Sequence, residues 1–310
     1  MTEAFQPPDS SQPPRVLLRT HNLQKRFGNF EVLRGLNLNV REGSVYGFLG
    51  RNGAGKTTTI QILMGIQKPN QGAIDLFGHT GKRPNIAQKR QIGYVSQEQH
   101  FYPWMSCLYL GKFVSRFYPT WDQQWFIRLL RTFELPLDRK VINLSQGMKV
   151  KLALALALAH RPRILILDEP TSGLDPAARR EFLDIVSHQA ETEGRTTFFS
   201  SHIVEEVARI ADHVGIIDRG KLRFQGRPET LYAGIRGFKP QDPAIWKDPA
   251  RKGALIDRLN AGNLTLLAEE PRDNMLILEG PAEAWSGETS ETLSLEDIFL
   301  ALTTKKIERL

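Results

Sequence analysis

The sequence predicts an α/β fold in which helices cover both faces of a sheet. Short apolar segments with the length of strands occur at 44–49, 92–95, 164–167, 196–200 and 214–218. Most of them are separated by stretches in which apolar residues recur three and four positions apart, as they do in helices. Because strands that alternate with helices are typical of α/β domains, we expect these segments to form one sheet.

Three further regions surround or interrupt this sheet. Apolar and polar residues alternate around turn signals between 16 and 40, which predicts an antiparallel β layer. A helical insertion is expected at about 98–160, with helices at 106–117, 122–133 and 147–160. Beyond 237 the pattern weakens. We expect a small C-terminal α+β region there. It would contain strands at 263–267 and 274–278 and a helix at 294–302 that begins with a Ser294/Asp297 capping box.

The segment that follows the first apolar strand fits the phosphate-binding pattern G-x-x-x-x-G-K-[ST] and leads into a helix. Its residues are Gly50, Arg51, Asn52, Gly53, Ala54, Gly55, Lys56 and Thr57, followed by Thr58. Glycine lets the backbone wrap phosphates that a β-carbon would keep away, and the N–H groups at the helix start converge on phosphate oxygens. Lys56 is expected to reach the β- and γ-phosphates and Thr57 to bind Mg²⁺. The sequence therefore predicts binding of a nucleoside triphosphate.

The strand at 164–167 ends in two carboxylates, Asp168 and Glu169. The carboxyl end of a buried parallel strand is where a ligand crevice forms. Asp168 is suited to hold Mg²⁺, mostly through water, and Glu169 can accept a hydrogen bond from an attacking water. An acidic turn facing solvent is the alternative, and the phosphate loop upstream weakens it.

Four more segments indicate which class of nucleotide-binding protein this chain resembles. They are Gln97 after the strand at 92–95, Leu144-Ser145-Gln146-Gly147-Met148, Ser172-Gly173-Leu174-Asp175, and Phe198-Phe199-Ser200-Ser201-His202. In this order, with the phosphate loop and the acidic pair, they resemble the nucleotide-binding subunit of ABC transporters over about 17–236. The fold that the resemblance implies is an ABC-type P-loop NTPase. We expect a disordered Pro-rich extension at 1–15, the ABC nucleotide-binding domain at 16–236 and an accessory region at 237–310.

The resemblance also implies roles for individual residues. Glu169 would be the general base and His202 would contact the γ-phosphate. Gln97 would sense that phosphate, join Thr57 and Asp168 around Mg²⁺, and face the membrane partner. Phe27 would stack on adenine.

Other implied roles join two subunits. Ser145, Gln146 and Gly147 would close over ATP bound to the opposite subunit, and Asp175 would bridge the pair. The signature departs from the usual L-S-G-G-Q, because Gln146 replaces the first glycine and Met148 replaces the glutamine. Ser145 and Gly147 are retained, so we interpret the segment as a variant signature.

A finer resemblance points to bacterial ABC-2-type exporter ATPases. It rests on the segments at 116–122, 135–138, 148–157 and 294–302. It implies a chain that hydrolyses ATP, pairs as a homodimer or with another ATPase subunit, and docks on a separately encoded integral-membrane permease. A chain of this kind is expected at the cytoplasmic face of the cell membrane, as a peripheral subunit. The cargo is not readable from this sequence, because recognition lies in the permease.

Composition agrees with this interpretation. The net charge is +7, but the basic residues are dispersed rather than interleaved with aromatic residues, so no nucleic-acid partner is expected. No run approaches 18 consecutive apolar residues, so no segment is expected to span a bilayer. The N-terminus lacks a signal-peptide pattern. The single cysteine, Cys107, excludes an intramolecular disulfide.

Two other functions stay open at this point. One is a soluble ABC ATPase without a transporter, such as a ribosome-associated or DNA-repair factor. Such proteins usually carry two phosphate loops, a long coiled coil or zinc-binding cysteines, and this chain has one phosphate loop, one cysteine and no heptad run. The other is an importer ATPase, against which the segments that resemble ABC-2 exporters argue.

Overall fold

The computed structural model describes residues 15–286 and 289–304. Residues 1–14 of the predicted extension therefore lie outside the described residues, as do 287–288 and 305–310 of the C-terminal region. Contacts divide the chain into two compact units, Met1–Leu222 and Arg223–Leu310. The first unit thus ends earlier than 236, the last residue of the predicted nucleotide-binding domain. The predicted boundary falls inside a strand, Ile235–Phe238, that pairs with later strands.

The described residues form the following strands: β1 (Val16–Phe27), β2 (Phe30–Leu36), β3 (Asn39–Arg41), β4 (Val45–Gly50), β5 (Gln71–Leu76), β6 (His79–Gly81), β7 (Ile92–Val95), β8 (Ile164–Asp168), β9 (Thr196–Ser201), β10 (His213–Asp218), β11 (Lys221–Gly226), β12 (Ile235–Phe238), β13 (Thr265–Glu270), β14 (Met275–Glu279) and β15 (Ser290–Thr292). The α-helices are α1 (Lys56–Leu63), α2 (Ile86–Lys89), α3 (Cys107–Ser115), α4 (Gln123–Thr132), α5 (Gln146–Leu158), α6 (Pro176–Glu193), α7 (Val204–Ile210), α8 (Pro228–Gly234), α9 (Pro249–Ala261) and α10 (Leu295–Thr303). Short 3₁₀ helices occur at Val141–Asn143, Pro243–Lys247 and Ala282–Trp285.

The central sheet has six strands in the order β11-β10-β4-β9-β8-β7. Strands β10, β4, β9, β8 and β7 pair in parallel. The predicted strands at 92–95 and 164–167 are β7 and most of β8, which confirms the α/β fold. Because the strands are parallel, the segments that follow β4, β7, β8 and β9 all leave the same end of the sheet.

The predicted antiparallel layer is also present. Strands β2, β1, β5 and β6 form a sheet in that order, and β3 pairs with β1. Its apolar face joins the parallel sheet in one cluster of buried side chains, which includes Leu17, Leu33, Phe48, Ile60 and Phe198. Burial of such a side chain contributes about 1.5–3 kcal/mol, so the two sheets and α1 are held together mainly by apolar contacts.

The helical insertion contains α3, α4 and α5. The caps explain where these helices begin, because the side chains of Ser106, Asp122 and Ser145 each accept a hydrogen bond from a first-turn N–H group. Helix α5 is almost entirely buried from Val150 to Leu158, which fits its unbroken apolar sequence.

The second unit has its own antiparallel sheet, in the order β13-β14-β12-β15. A separate apolar cluster around Phe238, Leu264, Leu276 and Trp285 forms its core. The Ser294/Asp297 capping box at the start of α10 is confirmed. Helix α9 was not predicted. Only Leu259 of this helix is fully buried, and Leu255 is half-buried against the same cluster.

We predict that Gly215→Ala destabilises the parallel sheet. A β-carbon at Gly215 would lie 2.1 Å from the Tyr46 hydroxyl oxygen, and Tyr46 is fully buried against the Phe198 ring. Overpacking of this kind lowers the free energy of unfolding by about 1–3 kcal/mol, which urea denaturation measures. The control is Gly81→Ala, where the nearest atom lies at 3.6 Å. Equal stability of the two variants would contradict the packing of β10 on Tyr46.

Candidate active site

The glycine-rich loop joins β4 to α1, as the sequence predicts. Gly55 has a φ of 111°, and a β-carbon there would lie 2.7 Å from Leu33 Cδ2 on the antiparallel sheet. Gly53 has a φ of 79° with open space around it, so glycine is needed there for conformation alone. Arg51 and Asn52 are exposed at the loop surface, Ala54 is buried, and Thr58 is half-buried in the first turn of α1. The backbone N–H groups at the start of α1 form a site that suits an anion.

Lys56 begins α1 and is only 4% exposed. Its ammonium donates to the carbonyl oxygens of Gly50 at 2.7 Å and Arg51 at 3.2 Å. It also forms an ion pair with Glu169, with 3.0 Å between Nζ and Oε1. A buried ammonium needs such partners, since an unpaired charge is costly to remove from water. The loop therefore holds a buried positive charge next to the Glu169 carboxylate.

Asp168 ends β8 and is also buried. Its Oδ1 accepts hydrogen bonds from Thr57 Oγ1 at 3.2 Å and from Ser200 Oγ at 3.0 Å. Burial raises the pKa of the Asp168 carboxyl, the two hydrogen bonds oppose this shift, and the nearby Glu169 charge adds to it. Burial, together with the Asp168 charge, also raises the pKa of Tyr94 to about 12. Asp168 and Thr57 thus present a carboxylate and a hydroxyl oxygen side by side.

Glu169 follows directly, and its side chain faces different partners. Its Oε2 lies 3.0 Å from Nδ1 of His202, while its backbone N–H donates to Ser200 Oγ at 3.0 Å. Its φ is 42°, an uncommon value for a residue with a side chain. Strands β8 and β9 pair with Asp168 opposite Ser200, so adjacent strand ends bring Glu169 and His202 together. The structure therefore joins Lys56, Asp168, Glu169 and His202 in one cluster.

Gln97 lies at the same end of the sheet, two residues after β7, and is exposed. Phe27 ends β1 and is 47% exposed, and the Lys25 ammonium lies 4.7 Å from its ring centroid. Phe27 is therefore a surface aromatic residue and not part of the apolar core. Its ring is available for stacking.

The signature residues lie at the N-terminus of α5. Ser145 caps the helix by accepting from the Met148 N–H at 3.2 Å, and Gln146 Nε2 donates to Gln99 Oε1 at 3.1 Å. A β-carbon at Gly147 would meet nothing closer than Ala178 Cβ at 3.6 Å. Packing within this chain thus leaves room for a larger residue at Gly147. Within the described ranges, no hydrogen bond or ion pair links Ser145, Gln146 or Gly147 to the phosphate loop.

Asp175 caps α6. Its Oδ1 accepts from the N–H groups of Ala177 and Ala178, both at 2.9 Å, and the residue is exposed. The carboxylate thus fixes the turn between the acidic pair and α6. Its second oxygen has no hydrogen bond to other described residues.

Sequence reasoning missed two polar residues of this site. Ser200 bonds to Asp168 and to the Glu169 backbone, and its position at the end of an apolar strand was the available signal. Glu206 is buried beside Ser201 and Thr171. The sequence offers no signal for it, because Glu205 and Glu206 are adjacent on α7 and only the fold decides which is buried.

Among residues 15–286 and 289–304, none of the helices combines the length and the apolar character that a membrane-spanning segment needs.

Comparisons with known proteins agree with this geometry. The family model described as "ABC transporter" matches residues 33–172. The bacitracin transport ATP-binding protein BcrA of Bacillus licheniformis is 38% identical over 209 residues, which cover 67% of this chain and 68% of that protein. The Nod factor export ATP-binding protein I of Burkholderia lata is 32% identical over 298 residues, which cover 93% of this chain and 97% of that protein.

Solved structures lead to the same family. One described as the structure of the ATP binding subunit of an ABC transporter is 28% identical, with a TM-score of 0.63, and the match covers 69% of this chain and 91% of that one. The predicted resemblance is thereby confirmed. The phosphate loop, the acidic pair and the relatives that match nearly the whole chain lead to one conclusion: this chain belongs to the ABC transporter family and is an ATP-binding, ATP-hydrolysing subunit of such a transporter.

Proposed function

We propose that this chain drives an exporter by hydrolysing Mg²⁺-ATP at a site that two ATPase subunits complete together. The observation that carries the proposal is the cluster in which the buried Lys56 pairs with the buried Glu169, and Glu169 in turn contacts the exposed His202. A cation and a carboxylate with a histidine partner suit binding of a terminal phosphate and activation of a water.

ATP is proposed to bind with its phosphates along the loop. The N–H groups at the start of α1 and the Lys56 ammonium would receive the β- and γ-phosphates, and Phe27 would stack on the adenine. A phosphate approaching Lys56 competes with Glu169 for the ammonium. Glu169 would then be released toward the water that attacks the γ-phosphorus, with His202 beside it.

The oxygen atoms around Asp168 fit Mg²⁺. Thr57 Oγ1 and Asp168 Oδ1 lie 3.2 Å apart, and Gln97 offers an amide oxygen at the same end of the sheet. Hard cations of this kind prefer carboxylate, carbonyl and hydroxyl oxygens. When bound, the ion would supply positive charge that offsets the negative charge developing on the phosphates during transfer. Asp168 would hold its position through Ser200.

A second subunit is proposed to complete the site. ABC cassettes form dimers, and solved structures of this fold include dimeric ones. In this chain Ser145 is exposed at a helix N-terminus, and Gly147 has room in its own subunit for a side chain. Both features suit the close approach of a phosphate from the opposite subunit. We propose two copies of this chain, with Asp175 at the contact between them; a paired ATPase subunit is the other arrangement.

The partner in the membrane is proposed to be an integral-membrane permease of the ABC-2 type, which would place the chain at the cytoplasmic face. Four aromatic residues form a largely exposed group after Gln97: Tyr102, Trp104, Phe113 and Phe117. We call them the aromatic patch. The Tyr102 ring lies 5.2 Å from Trp104 and 5.6 Å from Phe113, and Trp104 is 62% exposed. Aromatic groups of this kind are typical anchors for a partner helix.

Export is the proposed direction of transport. The relatives of this chain include a Nod factor export protein and a bacitracin transport protein, and the chain covers nearly the full length of the former. The cargo of those proteins is not transferred to this chain, because cargo recognition belongs to the permease.

We predict that Glu169→Gln retains ATP binding and loses turnover by roughly 10²–10³-fold, because an amide cannot accept the proton of the attacking water. Calorimetry with Mg²⁺ measures the affinity, and phosphate release measures turnover. Glu205→Gln is the control, since Glu205 is exposed. Turnover near the wild-type rate in Glu169→Gln would remove Glu169 from the proposed role.

We predict that Trp104→Ala or Tyr102→Ala weakens docking on membranes that contain the permease by about 1–3 kcal/mol, since each removes a large exposed ring from the aromatic patch. Flotation with permease-containing vesicles, compared with empty vesicles, measures the association, and ATP affinity should not change. Ile86→Ala is the control, because Ile86 is 71% exposed on α2, outside the helical insertion that carries the patch. Equal recovery with both kinds of vesicle would contradict permease docking.

A further inference from the structure

Glu206 is a buried carboxylate that the proposed chemistry does not use. It lies on α7, four residues after His202, and is 3% exposed. Its neighbour Glu205 is exposed on the same helix. A carboxylate is seldom buried without compensating partners, since desolvation of the charge is costly. Its contacts therefore indicate why the fold holds a charge there.

Each oxygen of Glu206 has a hydroxyl partner. Oε1 accepts from Thr171 Oγ1 at 2.6 Å, and Oε2 accepts from Ser201 Oγ at 2.6 Å. The guanidinium of Arg179 adds an ion pair, with 3.4 Å between its Nε and Oε1. Hydrogen bonds of this length to a carboxylate are among the stronger ones in proteins. One side chain thus holds three others in fixed positions.

The three partners belong to three different segments of the active site. Thr171 lies two residues after Glu169, Ser201 directly precedes His202, and Arg179 lies in the first turns of α6 after the capping residue Asp175. Ser201 Oγ also accepts from the Ile203 N–H at 2.9 Å, which fixes the backbone on both sides of His202. Glu206 therefore connects the segment that follows Glu169 to the segment that surrounds His202.

We propose that Glu206 is a positioning residue that sets the contact between Glu169 and His202. The contact is 3.0 Å long, and the two residues leave adjacent strands on short segments. Without a shared anchor, each segment could shift independently. Among the described residues, no hydrogen bond or ion pair joins Glu206 to either side chain, and it acts through Thr171 and Ser201. The inference rests on the proposed roles of Glu169 and His202.

The test is a double-mutant cycle in the full chain. ATP turnover is measured for Glu206→Gln, His202→Ala and the double variant, with Glu205→Gln as the matched control. Glutamine keeps the volume of Glu206 but offers only one acceptor oxygen, so one hydroxyl loses its partner. If Glu206 acts through His202, its replacement has little further effect once His202 is absent. A residue that only supports the fold would lower turnover in both backgrounds.

We expect Glu206→Gln to lower kcat by roughly 5- to 20-fold, as a small displacement of catalytic groups does, with KM for ATP changed less than about twofold. Glu205→Gln should match the wild type. In the His202→Ala background the effect of Glu206→Gln should fall below about twofold. Ser201→Ala removes the hydrogen bond to Glu206 and keeps the buried carboxylate, so its effect should depend on His202 in the same way. This variant replaces Glu206→Gln in the cycle if Glu206→Gln does not fold.

Three results would overturn the proposal: wild-type kcat in both Glu206→Gln and Ser201→Ala, equal losses with and without His202, or a loss that follows a lowered melting temperature alone. The single variants separate this failure from a failure of the proposed function. If His202→Ala and Glu169→Gln themselves keep full turnover, the proposed roles are wrong. If His202→Ala and Glu169→Gln lose turnover while Glu206→Gln and Ser201→Ala do not, only the positioning role is wrong.

Discussion

The ion pair between Lys56 and Glu169 is the interaction on which the site depends. Both side chains are almost fully buried, and 3.0 Å separates their charged atoms. Removal of one partner would leave the other as an uncompensated buried charge, which costs several kcal/mol. The fold must therefore position the end of β8 relative to the start of α1 with a precision of tenths of an ångström. The parallel sheet achieves this, because β4 and β8 both lie next to β9.

The same strand order brings the rest of the site together. Three adjacent strands, β4, β9 and β8, end in the phosphate loop, the Ser200–His202 segment and the acidic pair. Asp168 and Glu169, although consecutive, face different partners: Asp168 bonds to Thr57 and Ser200, and Glu169 to Lys56 and His202. The positive φ of Glu169 accompanies this separation. Two carboxylates with different side-chain partners thus lie side by side, while Ser200 Oγ donates to Asp168 and accepts from the Glu169 backbone N–H.

Much of this arrangement was predictable, because the chemistry of each motif is local in sequence. The phosphate loop needs closely spaced glycines and a lysine, and the acidic pair needs an apolar strand before it. Glu206 was not predictable, since its burial depends on how α7 packs on the segments of Thr171 and Ser201. The two compact units meet at Leu222 and Arg223, earlier than the predicted boundary at 236. Strand β12 pairs with a strand about 40 residues further on, which no local pattern reveals. Helix α9 was missed, and only one of its side chains, Leu259, is fully buried.

Each chain supplies only part of the proposed active site, because the exposed Ser145 and the small Gly147 have no described bond to the phosphate loop of their own chain. In the proposed dimer, these two residues meet the phosphate loop of the other chain. The most direct test mixes two variants that the proposal expects to be inactive: Lys56→Ala, which removes the ammonium from the loop, and Ser145→Arg, which places a bulky side chain in the signature. In a mixed dimer, one site combines an intact loop from one chain with an intact signature from the other. An equal mixture should therefore recover about a quarter of wild-type ATP turnover, as random pairing of two copies predicts. A mixture as inactive as either variant alone would contradict a site shared between two copies of this chain.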